Sequence, residues 1–167
     1  MLQALQTFGS QLTALQMQIG ELERGIHAQH RASDTSRRLE TIPGIGVLGA
    51  TAITATIADP SAFKSGREFA AWVGLVPRQH STGGKSRLGN ISKQGDRYLR
   101  KLLVIGAMAV IQQARRHPEK NPWLVQLLAK KPVKVVAVAL ANKTARIAWA
   151  ILAKGESYRT PARAAAA

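Results

Sequence analysis

The sequence predicts an all-α fold: an N-terminal coiled-coil helix, then a compact helical domain carrying a hairpin-like turn and a basic Gly/Ser-rich loop. Three observations predict it. Ala, Leu, Val and Ile are plentiful while aromatics make up only 5% of the 167 residues, a balance that favours helices over sheets. Residues 1–26 repeat apolar side chains in alternating steps of four and three. The least helical stretch, residues 74–101, is flanked on both sides by aliphatic, helix-forming sequence.

The heptad runs through Met1, Leu5, Phe8, Leu12, Leu15, Ile19, Leu22 and Ile26, with mostly Gln between. It reads as the seam of a coiled coil or helical hairpin, or as the face of one helix packed on its own domain. Gly9, Gly20 and Gly25 weaken such a helix, so it needs a partner, and assembly of copies through residues 1–26 is the expectation. Because Met1 is already in register, the seam reads as continuing upstream in a longer parent. The polar residues 28–38 are expected to form a turn or a loosened helix, closing a first unit at residue 38.

A second unit is expected over residues 39–158. It opens on Thr41-Ile42-Pro43-Gly44-Ile45-Gly46, a tight turn leading into an aliphatic helix. Free N–H groups at the start of that helix would suit one backbone phosphate. The Pro43-Gly44-Ile45-Gly46 run resembles the turn of a helix-hairpin-helix DNA-binding motif. Asp59-Pro60 marks a helix start, and Ser65-Gly66-Arg67-Glu68 is a capping box opening a short helix with Phe69, Trp72 and Val73 inward. After Gly74, residues 75–77 lead in extended form into the basic loop. A long helix is expected from Asp96 to about Arg115 and a short one around Trp123–Leu128. The last, near 133–154, stops at Gly155. Lys143 and Arg146 interrupt its apolar character, either snorkelling to solvent or pointing back at the basic loop. Residues 156–167 read as a frayed tail, with the domain itself closing at 158.

The formal charge is +15, from 24 basic and 9 acidic residues. Residues 1–40 are balanced, so the whole excess lies beyond them. A polyanion is the natural partner of such a surface. The absence of cysteine excludes disulfides and thiolate metal sites. No uncharged apolar run of membrane-spanning length and no signal peptide is apparent, so the expectation is a cytoplasmic protein with no membrane partner.

The basic loop and the helix after it hold Arg78, Lys85, Arg87, Lys93, Arg97, Arg100 and Lys101, opposed only by Asp96. Arg97, Arg100 and Lys101 stand at a helix N-terminus, where cations oppose the macrodipole at a cost of roughly 0.3–1 kcal/mol each. A purely structural helix would place them at its other end, which points to phosphate. Glycines at 83, 84, 89 and 95 would let the backbone approach a ligand closely. Carboxylates are scattered and no His pair has ligand spacing, so no metal site is expected in this chain. Ser81 and Thr82 lie beside His80 among the cations, where a hydroxyl either binds phosphate or attacks it.

The runs Thr41–Gly46, Phe69–Lys85 and Ile91–Arg100 resemble the C-terminal half of insertion-sequence transposases of the IS-one-ten group. The likeness is to its IS-eleven-eleven branch, related to Piv-type DNA invertases, and extends from about Leu39 to Tyr158. Residues 1–38 resemble the coiled coil that precedes this half. The resemblance implies a serine that forms a covalent link with DNA, with Ser81 the matching hydroxyl and Thr82 in a competing alignment. It also implies a RuvC-like acidic domain that binds Mg2+, which these residues do not contain, and, in some members, a guide RNA. The function expected is DNA transposition or recombination, through DNA-contacting residues Pro43, Gly44, Ile45, Gly46, Arg78, Lys85, Arg87, Lys93, Arg97, Arg100 and Lys101. The alternative is a non-catalytic helical DNA- or RNA-binding module.

Overall fold

The computed structural model describes residues 2–79 and 88–159. Its described residues form seven α-helices, two short 3-10 turns and one two-stranded antiparallel sheet, an all-α fold.

Helix α1 (Leu2–Ala32) carries the heptad, and its seam is in solvent: Leu5, Phe8, Leu12, Leu15, Ile19 and Leu22 are each more than half exposed. Only its C-terminal end meets the rest of the fold, where His30 is buried. There His30 Nδ1 lies 2.8 Å from Ser36 Oγ and Nε2 lies 2.9 Å from Glu40 Oε2, which locks α1 onto α2 (Asp34–Glu40). Of the turn or loosened helix expected across 28–38, the structure shows helix rather than a turn. Both sides are helical, broken only at Ser33, whose hydroxyl accepts from Ser36 N–H and starts α2. Helix α2 runs through the expected boundary at residue 38, because its Ser36 and Leu39 already belong to the buried interior.

The turn after α2 leads into α3 (Val47–Thr56), followed by α4 (Gly66–Trp72). Asp59 caps the 3-10 turn between them, and two hydrogen bonds from Ser61 hold its carboxyl below its ordinary pKa. At α4 the capping box forms, with one shift: Ser65 accepts from Glu68 N–H, while Glu68 accepts from Lys64 N–H rather than from Ser65. Phe69 and Val73 are buried as expected, but Trp72 is 39% exposed and packs edgewise on Phe63.

Strands β1 (Pro77–Gln79) and β2 (Leu88–Ile91) pair antiparallel, with Pro77 opposite Ile91. Helix α5 (Arg97–Arg116) and helix α7 (Val133–Lys154) form the centre, with α6 (Pro122–Lys130) beside them. Leu99, Leu103, Ile111, Val136, Ala141, Ala145 and Ala148 are buried there. Burying each large aliphatic side chain contributes about 1.5–3 kcal/mol. Helix α7 is long and apolar enough to cross a membrane by length and composition, yet here it is packed against α4 and α5 as a core helix.

Alanine on α7 allows close approach. At Gly66 an added Cβ would meet the Arg146 carbonyl at 2.9 Å, so α4 starts directly on the α7 backbone. Helix α7 ends where Gly155 adopts φ +69°, and Arg38 Nη1 donates to its carbonyl at 2.6 Å. The tail is tied back further than expected. Tyr158 packs on the core and its N–H donates to Thr41 Oγ1 at 3.0 Å.

Candidate nucleic-acid interface

Two zones carry the residues that the sequence singled out, and both are anchored on α5. The first is the turn Thr41–Gly46. Pro43 and Gly46 are exposed, and Gly46 begins α3 with no side-chain cap, so the first turn of α3 opens to solvent. Ile45 serves the core: its side chain is 5% exposed and its N–H donates to the Ile42 carbonyl at 3.0 Å. Gly44 has a packing role as well. It adopts φ +90°, and a Cβ there would meet the Gly106 carbonyl of α5 at 2.9 Å. The two glycines thus set the closest approach of this turn to α5.

The second zone joins the end of α4 to the start of α5. Gly74 and Gly95 adopt φ +80° and +88° and press against the Gln94 and Trp72 carbonyls, so side chains at either would collide with backbone. Gly95 therefore serves this joint rather than a ligand. Arg100 staples the same joint: its Nη1 donates to the Val73 carbonyl at 2.8 Å and to the Gln94 carbonyl at 3.3 Å. Arg78 reaches the Ser92 carbonyl at 3.3 Å and stays exposed. Asp96 caps α5 by accepting from Leu99 N–H at 2.7 Å, which supplies the negative charge that this basic helix start needs. Arg97 and Lys101 remain exposed. Lys93 is exposed at φ +55°, a left-handed backbone that costs a non-glycine residue roughly 1–2 kcal/mol. Nothing in the sequence marks that strain, since Lys is a poor choice for such a conformation. Ser81, Thr82, Lys85 and Arg87 lie outside the described residues.

The zones do not share one face of α5. Successive helical residues turn by about 100°, which puts Lys101 about 140° and Arg97 about 180° from Gly106. The Pro43–Gly46 turn and the exposed Arg97 and Lys101 therefore lie on opposite sides of that helix.

Charge is left uncompensated across this surface. Among the described residues, Arg37 is the one Lys or Arg within ion-pair distance of a carboxylate, that of Asp34. The described residues contain no group of three or more His, Asp or Glu able to hold a metal ion. The described residues do not fit a metal centre, and their exposed cations are of the kind that hold anions.

The described residues thus form a basic, nearly all-helical body with a glycine-tight turn and an uncompensated cationic joint. Comparison with known proteins gives the family. The profile of the Transposase IS116/IS110/IS902 family matches residues 36–121, just over half of the chain, and the chain belongs to that family. It is 50% identical over 156 residues to the "Probable family 20 transposase" of Pseudomonas aeruginosa, covering 93% of this chain and 46% of that protein. It is 40% identical over 142 residues to the transposase for insertion sequence element IS1111A of Coxiella burnetii, covering 84% of this chain and 39% of the other. A pilin gene-inverting protein of Moraxella bovis is 30% identical over 131 residues, 77% of this chain and 39% of that one. The chain thus spans less than half the length of each of these relatives.

Proposed function

We propose that this chain is the DNA-binding portion of a transposase and supplies the serine nucleophile of DNA strand transfer. The observation that carries the reading is the exposed, uncompensated group Arg78, Lys93, Arg97 and Lys101 around the α4–α5 joint, in a chain of this family. These cations bind backbone phosphates on one side of α5, and Lys85 and Arg87 add phosphate contacts of their own. The open start of α3 at Pro43–Gly46 binds a phosphate on the other side, through backbone N–H groups rather than the Ile45 side chain. Arg100 acts by holding the joint in shape.

Ser81 is the proposed nucleophile, with Thr82 the competing hydroxyl. Its Oγ attacks a phosphodiester and becomes esterified to DNA, while a sugar hydroxyl leaves. Arg and Lys neighbours stabilise the charge on phosphorus. Metal chemistry is assigned to Mg2+ on an acidic domain outside these residues. Residues 1–26 pair copies of the chain through the exposed seam. Contact with a guide RNA is part of the same proposal, since the cationic zones bind any phosphate backbone.

Two measurements test this. Duplex binding should weaken steeply with salt, each neutralised phosphate adding about −0.9 to the log–log slope. A slope near zero removes the polyanion reading. Incubation with labelled element-end DNA and Mg2+, with and without an added acidic domain, should trap a denaturation-resistant adduct. That adduct should vanish in Ser81→Ala and persist in Thr82→Ala. A second reading is a non-catalytic binding module, favoured by the exposed cations, which account for phosphate binding without any chemistry at Ser81. It predicts salt-sensitive binding and no adduct under either condition.

A further inference from the structure

We propose that the groove between α6 and α7, floored by Trp123, Lys143 and Arg146, is a binding site for an unpaired nucleotide of single-stranded nucleic acid. This site rests on the reading of the chain as a nucleic-acid binder and adds to it a base-stacking platform that the phosphate contacts lack.

Trp123 is not needed by the core. Its neighbour Leu124 anchors α6 and is fully buried, while Trp123 is 45% exposed. The other two tryptophans are engaged in the fold: Trp72 stacks with Phe69, and Trp149 Nε1 donates to the Pro60 carbonyl at 3.1 Å. Over the Trp123 ring lies the Lys143 ammonium, 4.4 Å from the centroid. Lys143 thus reaches solvent along the Trp123 ring. Arg146, one turn on, lines the same groove and is exposed. The groove measures about 600 Å³ and is completed by Ala139, Asn142, Ile147 and Ala150. No carboxylate lines it. Lys143 covers the ring in the free chain and swings to a flanking phosphate as a base takes its place; with Arg146 and the Asn142 amide in an open groove, this suits a stacked base with its flanking phosphates.

Position strengthens the assignment. Asn142 Nδ2 donates to the Leu75 carbonyl at 3.3 Å, two residues before β1 and the Arg78 zone. On its other side Trp123 lines a small cleft with Ile42, Pro43 and Tyr158, at the Pro43–Gly46 turn. The groove therefore connects the cationic joint with the Pro43–Gly46 turn, which α5 holds apart. A strand leaving a duplex at one zone can pass over Trp123 toward the other.

The test uses the full chain and three labelled probes of equal length: oligo-dT, oligo-rU and a DNA duplex. Trp123→Ala should weaken single-strand binding about tenfold or more, with duplex binding unchanged. Trp123→Phe should keep most of the single-strand affinity. The paired change Lys143→Gln with Arg146→Gln should lower the salt slope for single strands by about 0.7 per lost phosphate contact. Single strands should also quench tryptophan emission in the parent chain and not in Trp123→Phe. The oligo-dT and oligo-rU arms tell which sugar the site accepts. Duplex binding without any Trp123 effect on either single strand overturns the groove and leaves the proposed function standing. Equal loss on duplex and single strands overturns it too. Failure to bind all three probes overturns both.

Discussion

Helices α1 and α7 are the two longest in the chain and use their apolar residues in opposite ways. In α7, Val136, Ala137, Ala141, Ala145 and Ala148 are buried, and neighbouring backbones come close because most of these side chains are small. In α1 the apolar residues are larger and the pattern cleaner, yet Leu5, Phe8, Leu12, Leu15 and Leu22 stand in solvent. The difference teaches that a periodic apolar face specifies that a partner exists, not where it is. The body built on α5 and α7 is closed within the chain. The α1 seam is open to solvent.

Four variants break or sharpen this contrast. The largest effect is expected at Gly106→Val, where a side chain meets the Gly44 backbone directly. Denaturant unfolding should show a loss at the upper end of the roughly 1–3 kcal/mol that overpacking costs, or failure to fold. Unchanged stability would mean the turn does not rest on α5 as described.

His30→Ala should come next. It strips the buried Ser36 hydroxyl, 1% exposed, of its His30 partner and unties α1 from α2. A loss of about 1–3 kcal/mol is expected, with hydrogen exchange rising first near Ala28–Ser36. Protection that stays uniform would argue that α1 is held elsewhere.

Lys93→Gly should act in the reverse direction. Relief of the left-handed backbone should raise stability by about 1 kcal/mol, while duplex affinity falls and the salt slope shrinks by about 0.9. Gain without loss of affinity would remove Lys93 from the interface. The smallest effect on the body is expected from Leu12→Glu combined with Leu15→Glu. Thermal unfolding of the body should stay within about 0.5 kcal/mol of the parent, while any concentration-dependent assembly seen by sedimentation disappears. A lowered body stability would show that the seam folds back on its own chain.

Much of this molecule is legible in one dimension, and the reasons are local. Asp96 and Ser65 announce helix starts because an acceptor oxygen one turn before an amide is recognisable in sequence. Gly155 announces a stop because only glycine takes φ +69° freely. The cationic stretch is equally plain as a count of charges. The Ser33 break is harder to see, since residues 28–38 look uniformly polar and only the burial of His30 and Ser36 shows two helices locked there. The second strand is missed for a related reason: Leu88–Ile91 is short and contains Gly89, and it is a strand only because Pro77–Gln79 lies beside it.

The candidate site divides the same way. Arg78, Lys93, Arg97, Arg100 and Lys101 form one list in sequence, but the structure gives them different duties. Arg100 spends donors on the Val73 and Gln94 carbonyls, while Arg97 and Lys101 face solvent. Gly44 and Gly95 look like openings for a ligand, and the fold also makes each a close contact between backbones.

By itself the sequence determined the helical class, the capped helix ends and the cationic excess, because each depends on composition or on residues within about one helical turn of each other, and the family likeness, because that is carried by the order of residues in a few contiguous runs. Tertiary structure alone decided that the turn and the basic helix start lie on opposite sides of α5, that Trp123 and Lys143 meet, and that α1 keeps its seam exposed. Those outcomes depend on which backbones pack closest, and that is set by residues such as Gly44 and Gly106, far apart in the chain and adjacent only once it has folded.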